Sequence, residues 1–371
     1  MILLWMTVML WFCLEVQKVL LLLKFISFQV NKMAKKIVVV GGGVMGCMTA
    51  LELTRRGHQV TVVERNIIAA QTSGESSWAG AGIAFPLLPW FYKDEVNELA
   101  LAGAKLYPEL AKELLAVSKI NPECIRSGML IKPPFDSALA LSWCNRFGVT
   151  VEQRNNDLFL PDVLQVRNPR LLQSLKAWLV QNNVMLIEQT QLSPIIESEK
   201  TDQGQINGWD TNTGIVLEAD AYVVTSGAWS FDLLKETSLK LNIKPMRGQI
   251  LLYKLPVQTL QNIVYQDGFY LVPRSDGYLL AGSTLEDVGF DINVTEAARE
   301  AMQLKAETLL PSLKHALIIK HWCGLRPGTP ENIPTISVHP TIKNLYLNTG
   351  HFRYGVTMAP ESARRLSNLI G

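Results

Sequence analysis

From residue 36 onward the chain alternates short apolar runs with stretches of amphipathic spacing. Residues 37–40, IVVV, are an unbroken β-branched run, the pattern of a strand buried on both faces. A glycine turn follows. Apolar positions then recur at helical spacing to about Arg56, with Gly57 placed to stop the helix. Residues 60–63 read as a second strand. Residues 95–117 carry helical spacing, and Pro108 is expected to break or restart that helix, because it lacks an N–H and its ring crowds the preceding turn. Residues 158–166 are short and β-like. Asn168 and Pro169 open a helix to about Gln181, with Asn168 as N-cap. Residues 184–188 read as a strand, segments near 194–199, 204–209 and 214–218 as an antiparallel meander, and 221–226 as another buried strand. Between 249 and 283 the runs QILLYKL, FYLVPR and YLLAGST are separated by turn sequences. A helix over 295–310, strands at 318–325 and 345–348, and a helix over 354–370 complete the pattern.

Parallel βαβ material therefore stands at the beginning, middle and end, with antiparallel material between. The expected fold class is α/β. A Rossmann-like dinucleotide-binding domain is assembled from residues 33–90, 165–240 and 318–371, and an antiparallel-sheet substrate domain is inserted at 91–164 and 241–317. A chain of 371 residues is long enough for two cores.

The first thirty residues break the pattern. They are mostly apolar, but Glu15, Gln17, Lys18 and Lys24 interrupt them, and the unbroken part, residues 1–14, is shorter than the roughly 20 residues a membrane span needs. No basic start or small-residue cleavage site marks a signal peptide. MAKKIVVVGGG reads like a fresh start at Met33. A non-native or mispredicted leader (1–32) is favoured over a membrane anchor through residues 1–30, and both over an integral helix of the fold. A cytoplasmic location is expected, membrane-associated if the leader is native.

Charge changes the picture little. Lys and Arg number 35 against 33 Asp and Glu, and they are scattered, so nothing points to nucleic acid. Five cysteines without a CxxC pair and five histidines without metal spacing argue against a disulfide framework and a zinc site. No metal is expected.

The first chemistry lies in the glycine turn. Gly41, Gly43 and Gly46 fit GxGxxG: one glycine for the tight turn, one for close approach of a pyrophosphate, one for helix–strand packing. Val44 and Met45 open the helix, whose free N–H groups favour phosphate. Glu64 ends the second strand, 23 residues after Gly41, where an acid accepts hydrogen bonds from ribose hydroxyls and disfavours a 2′-phosphate. The motif does not separate NAD from FAD.

About thirty residues after the glycine turn comes SSWAGAGIAFPLLPW, residues 76–90, uncharged, too apolar for a surface loop and too rich in Gly and Pro for a helix. This strip and the runs VVVGGGVMG, VVTSGAWS, MRGQILLY, FYLVPRSDGYLLAGSTLEDVGFD, HWCGLRPGTPENIP and GHFRYGV follow one another in an order that resembles the FAD-dependent amine oxidases of the D-amino acid oxidase superfamily, the glycine oxidases of thiamine biosynthesis most closely. The resemblance covers residues 35–371 and omits the leader.

The resemblance implies a fold of the glutathione-reductase-2/D-amino acid oxidase type. It implies FAD held without a covalent bond, since the C-terminal motif has no cysteine of the kind to which related sarcosine oxidases attach flavin. It implies an oxidase of glycine and other small amino acids or amines: hydride passes from Cα to flavin N5, the imine hydrolyses to glyoxylate and ammonia, O2 becomes H2O2, and the product feeds thiazole synthesis for thiamine. The cofactor carries the hard chemistry, so no catalytic residue beyond the flavin is expected. A homo-oligomer is implied. The competing reading is a membrane-associated FAD-dependent D-amino acid dehydrogenase that passes electrons to quinone. A tRNA-modifying module is disfavoured by the weak basicity.

Matching positions then carry roles. Arg326 is expected to hold the substrate carboxylate bidentately, the structural alternative being a salt bridge to a protein acid. Tyr270 would bond the same carboxylate, or else be a strand-core tyrosine. Arg353 would lie near substrate and flavin, or else contact a helix start. Cofactor contacts are expected from Gly41, Gly43, Val44, Met45, Gly46, Glu64 and Arg65; from Ser76, Ser77, Ala81, Gly82 and Ile83 in the strip; from the backbone of Leu192; and from His351, Phe352, Arg353, Tyr354, Gly355, Val356 and Thr357. Trp229 and Arg274 are expected to be structural.

Overall fold

The computed structural model describes residues 34–72, 74–255 and 260–371. The leader, and the choice among its readings, lie outside them. Six strands form one sheet, in the order Thr335–Val338, Leu345–Thr349, Ala221–Val224, Lys36–Val40, Gln59–Val63, Met185–Ile187. All neighbours are parallel except Thr335–Val338, which runs antiparallel to Leu345–Thr349. The β-branched run of Lys36–Val40 is explained by two cores. Ile37 and Val39 pack into one cluster and Val38 and Val40 into another, one on each side of the sheet. The chain goes from this strand to Gln59–Val63 on one side, and Ala221–Val224 lies on the other. A crevice therefore opens beyond its carboxyl end, where Gly41 begins.

Eight strands form the second sheet, in the order Leu317–Gly328, Lys244–Lys254, Tyr278–Gly282, Phe269–Pro273, Ile263–Gln266, Met129–Ile131, Asp157–Leu160, Glu152–Arg154. It is antiparallel apart from Met129–Ile131 beside Ile263–Gln266. The helix Glu296–Leu309, capped by Thr295 Oγ1, packs Met302 and Ala306 against Leu251, Leu271 and Leu279. Ile83–Ala84, Leu164–Gln165 and Ile125–Arg126 make a small third sheet.

Several sequence expectations are corrected. The boundary at residue 318 cuts across the sheets: Leu317–Gly328 pairs along its length with Lys244–Lys254 and belongs to the eight-stranded sheet. Asp94–Ser118 lies against Gly355–Ile370 and Asn168–Gln181, so its packing is with helices of the nucleotide side. It also runs unbroken through Pro108. Its buried face, including Leu99, Gly103, Tyr107 and Leu114, outweighs one lost hydrogen bond, and the Tyr107 hydroxyl donates to Val356 O at 2.5 Å. Asn168 is the first residue of its helix rather than the cap. The strip does contain a helical turn, Ser76–Ala79. The meander reduces to a pairing of Trp209–Asp210 with Val216–Leu217, preceded by the 3-10 turn Glu197–Glu199. The helix Ser137–Phe147 had no counterpart in the sequence reading, although Asp136 caps it and Gly148 ends it in the left-handed region.

Candidate active site

The crevice begins as the motif predicts. Gly41 turns at φ +111°, and a Cβ on Gly46 would stand 1.8 Å from the Gly41 carbonyl oxygen, so helix and turn meet only with glycine there. Val44 N–H, at the start of the helix, donates to Ser77 Oγ at 3.0 Å, which docks the strip onto the helix N-terminus. Glu64 is held from two sides: Oε2 accepts from Gly42 N–H at 2.7 Å and Oε1 from Asn66 N–H at 2.9 Å. Gly41, Glu64 and Ser77 line a cavity together with Arg65, Glu75, Ser76, Leu192, Trp229 and Asp232. Leu192 sits opposite Thr211 in a bridge whose hydrogen bonds belong to its neighbours, Asn212 N–H to Gln191 O and Ser193 N–H to Asp210 O. Its own amide therefore points away from Thr211. Burial, with Glu64 adding to it, pushes the Glu75 carboxyl above its usual range.

Trp229 was expected to be packing, and it does more. The Arg65 guanidinium lies 3.9 Å over its ring, so the two close one wall of the cavity, and Phe290 leans against the indole with ring centroids 5.4 Å apart.

A second cavity continues from Gly43, Ser76 and Ser77, which line both, to the start of the last helix. Val44 and Met45 meet His351, Phe352, Arg353, Gly355 and Val356 there. Gly350 at φ +81° and Phe352 at φ +44° bend the chain into the helix Gly355–Ile370. His351 is buried with its Nε2 against Ser362 Oγ at 2.9 Å, and burial drives its pKa down to about 3, so the ring is neutral. Thr357 Oγ1 donates to Ile83 O at 3.0 Å and ties this helix to the strip.

The third cavity shares Gly80, Arg326, Arg353 and Val356 with the second and adds Ala81, Gly82, Ile83, Tyr270, Ser283, Tyr354 and Thr357. Arg326 reaches it from Leu317–Gly328. Its guanidinium lies flat over Gly248, where a Cβ would come within 2.0 Å of Nη1. Nη2 donates to Ser283 Oγ at 2.8 Å and Nη1 to Thr284 O at 3.2 Å. Burial lowers its pKa from the usual 12.5, the Tyr270 phenol beside it opposes that shift, and Arg353 adds repulsion. Among the described residues no carboxylate pairs with Arg326 or Arg353, so the structural alternative for Arg326 is not met. Arg274 is structural as expected: buried, it donates to Gln165 Oε1 at 2.5 Å and to Ala81 O at 2.8 Å, pinning the strip.

The structure thus brings every expected site residue except Gly46 onto the wall of one continuous trough, and Gly46 shapes its turn. The trough suits a dinucleotide. Its mouth is a glycine cradle that a Cβ would fill, and Asn168 Oδ1 and Asn348 Oδ1, buried atoms of residues lining the inner cavities, have no hydrogen-bond partner among the described residues. Asn168 Nδ2 holds Ser77 O at 2.8 Å and Gly80 O at 3.0 Å, which fixes the orientation of its amide. Sequence reasoning missed Asn348, Glu75 and this use of Asn168. The one signal was their place, at a strand end before a glycine turn or beside the strip. Among the described residues no group of His, Cys, Asp and Glu could hold a metal, and no helix is long and apolar enough to cross a membrane.

Comparison with known proteins gives a family model described as FAD dependent oxidoreductase, matched over residues 36–369. Glycine oxidase of Pseudomonas putida is 38% identical over 360 residues, which covers 91% of this chain and 95% of that protein. The bifunctional protein ThiO/ThiG of Trichormus variabilis is 30% identical over 91% of this chain and 53% of its own length. Among solved structures, glycine oxidase from Geobacillus kaustophilus superposes with a TM-score of 0.82 at 26% identity, covering 91% of this chain and 94% of that one.

Proposed function

The chain belongs to the FAD dependent oxidoreductases of the DAO family, and from that premise we propose that it oxidises the Cα–N bond of glycine and other small amino acids or amines. Identity to glycine oxidase supports the substrate, and similarity to ThiO/ThiG supports a role upstream of the thiazole of thiamine. FAD, when bound, supplies the two-electron acceptor for a hydride from Cα and returns those electrons to O2 as H2O2. Gly41, Gly43, Glu64, Ser76, Ser77 and Leu192 would hold its adenosine diphosphate end, and residues 351–357 with the strip its flavin end.

The observation that carries the reading is the unpaired Arg326, fixed by Ser283 and Thr284 in a cavity continuous with the nucleotide crevice. A bidentate guanidinium sets both the position and the rotation of a carboxylate, and Tyr270 stands beside it to bond the same group. Arg353 adds positive charge. The walls next to it are apolar or backbone: Ala81, Gly82, Ile83, Phe85 and Leu87. Among the described residues the cavity lining contains no Asp, Glu or His, so the substrate amine loses its proton to solvent rather than to a carboxylate or an imidazole.

Purified protein supplied with glycine and air is expected to consume O2 and release peroxide, glyoxylate and ammonia. Its kcat/KM is expected to climb with pH toward the amine's own pKa, without a plateau at a carboxylate or histidine value. Reduction of a quinone-like dye without peroxide would replace O2 as the acceptor. Absence of turnover with any small amino acid would overturn the proposal.

A further inference from the structure

Arg247, only 3% exposed, stands on the strand Lys244–Lys254 next to Gly248, over which Arg326 lies. Alternate residues of a strand face opposite ways, so Arg247 and Gln249 look away from Arg326 toward the segment that follows Ser283. There Arg247 pairs backbone to backbone with Glu286, each N–H donating to the other's carbonyl at 2.9 Å. Its side chain takes up two acids. Nε and Nη2 both donate to Glu286 Oε2, Nε at 2.9 Å, while Nη1 donates to Asp291 Oδ2 at 2.5 Å and to Asn293 O at 2.7 Å. Gln249 Nε2 donates to the other Glu286 oxygen at 2.8 Å. Both oxygens of Glu286 are thus engaged.

Glu286 is also an acid close enough to Arg326 to favour its charged form. It follows by two residues the Thr284 whose carbonyl Arg326 contacts, yet no ion pair joins Glu286 to Arg326. Glu286 is half-buried, and a partly desolvated carboxylate that loses its partners is drawn toward a neighbouring cation. Paired with Glu286, Arg326 would bind a second carboxylate only by giving up the first.

We propose that Arg247, seconded by Gln249, is a positioning residue for substrate capture: it holds the Glu286 carboxylate off Arg326 and leaves that guanidinium open to a small carboxylate. The inference rests on Arg326 being the carboxylate anchor of the proposed function.

The test uses the flavin-loaded enzyme, with glycolate titrated against the flavin absorbance and steady-state kinetics on glycine. Arg247→Met is expected to raise the glycolate Kd and the glycine KM about tenfold with kcat little changed, the loss of one competing charge pair. Adding Glu286→Gln to that variant is expected to restore both to within about twofold. Arg247→Lys should stay near wild type. Where Arg247→Met yields no folded protein, Gln249→Leu frees one Glu286 oxygen and is expected to weaken glycolate about threefold, again with rescue by Glu286→Gln. A wild-type Kd in the folded variant, or failure of Glu286→Gln to restore it, overturns the proposal. Wild-type enzyme that binds glycolate but does not oxidise glycine defeats the proposed function alone; wild-type enzyme that does not bind glycolate overturns this inference.

Discussion

The two ends of the trough are built on opposite electrostatics. At the nucleotide end three acids, Glu64, Glu75 and Asp232, line the wall with one cation, Arg65, and that cation is stacked on Trp229. At the substrate end two arginines, Arg326 and Arg353, line a cavity without an acid among the described residues. The difference sorts charge along the ligand path. On the proposed reading, ribose hydroxyls would donate to the fixed carboxylates, the diphosphate would meet backbone N–H groups at a helix N-terminus, and Arg326 with Arg353 would take the substrate carboxylate. The two ends should therefore respond independently to mutation.

The largest effect that could break this division is at Arg326. Arg326→Ala is expected to raise the glycine KM by about 100- to 1,000-fold, because a desolvated charge-assisted pair is worth about 2–5 kcal/mol, while the FAD Kd stays within about twofold. Steady-state kinetics and flavin titration read the two separately. An unchanged KM would assign the carboxylate to Arg353 and leave Arg326 as a structural cation.

A smaller effect sharpens the other end. Trp229→Ala removes the surface on which Arg65 stacks and against which Phe290 leans. The FAD Kd is expected to rise about tenfold, or about 1.4 kcal/mol, with the glycine KM at saturating FAD unmoved. A shift in KM would mean that the Phe290 segment, which begins at Ser283 and Thr284, carries strain from one end to the other.

The same two ends differ in how far they could be read from the chain. The nucleotide end was readable because its logic is local: strand, GxGxxG, helix, second strand and Glu64 fall within thirty residues, and Gly46 is required by the Gly41 carbonyl five residues before it. The substrate end is assembled from Tyr270 and Arg326 on two strands, Ser283 just after a third and Arg353 in a turn, a pairing no periodicity reveals; only family resemblance pointed to Tyr270, Arg326 and Arg353, and Ser283 was not foreseen. The Arg247–Glu286 pair was invisible because its meaning comes from register, with Arg247 facing Glu286 while Gly248 faces Arg326. Pro108 misled for the converse reason: a helix buried along its length overrides a local breaker. The strand Leu317–Gly328 was found as a strand but given to the wrong sheet, since a β-like run does not name its neighbour.

The smallest expected effect concerns Glu75, and it tests whether the nucleotide end carries surplus negative charge. Burial first, and Glu64 second, raise its pKa above the ordinary 4.5. A carboxyl raised in the folded state contributes stability that is fully present below its unfolded value and is lost as pH rises through the folded value. Glu75→Gln keeps the shape of the side chain and removes the charge. The flavin-free variant is expected to melt slightly above wild type at about pH 8, and the two Tm values should converge as pH falls below 4.5. Because Glu75 lines only the nucleotide cavity, the glycolate Kd of the flavin-loaded variant should not move. A Tm gain that persists unchanged in acid would place the effect in packing rather than charge, and a shift in glycolate binding would show that the negative wall is felt at the substrate arginines after all.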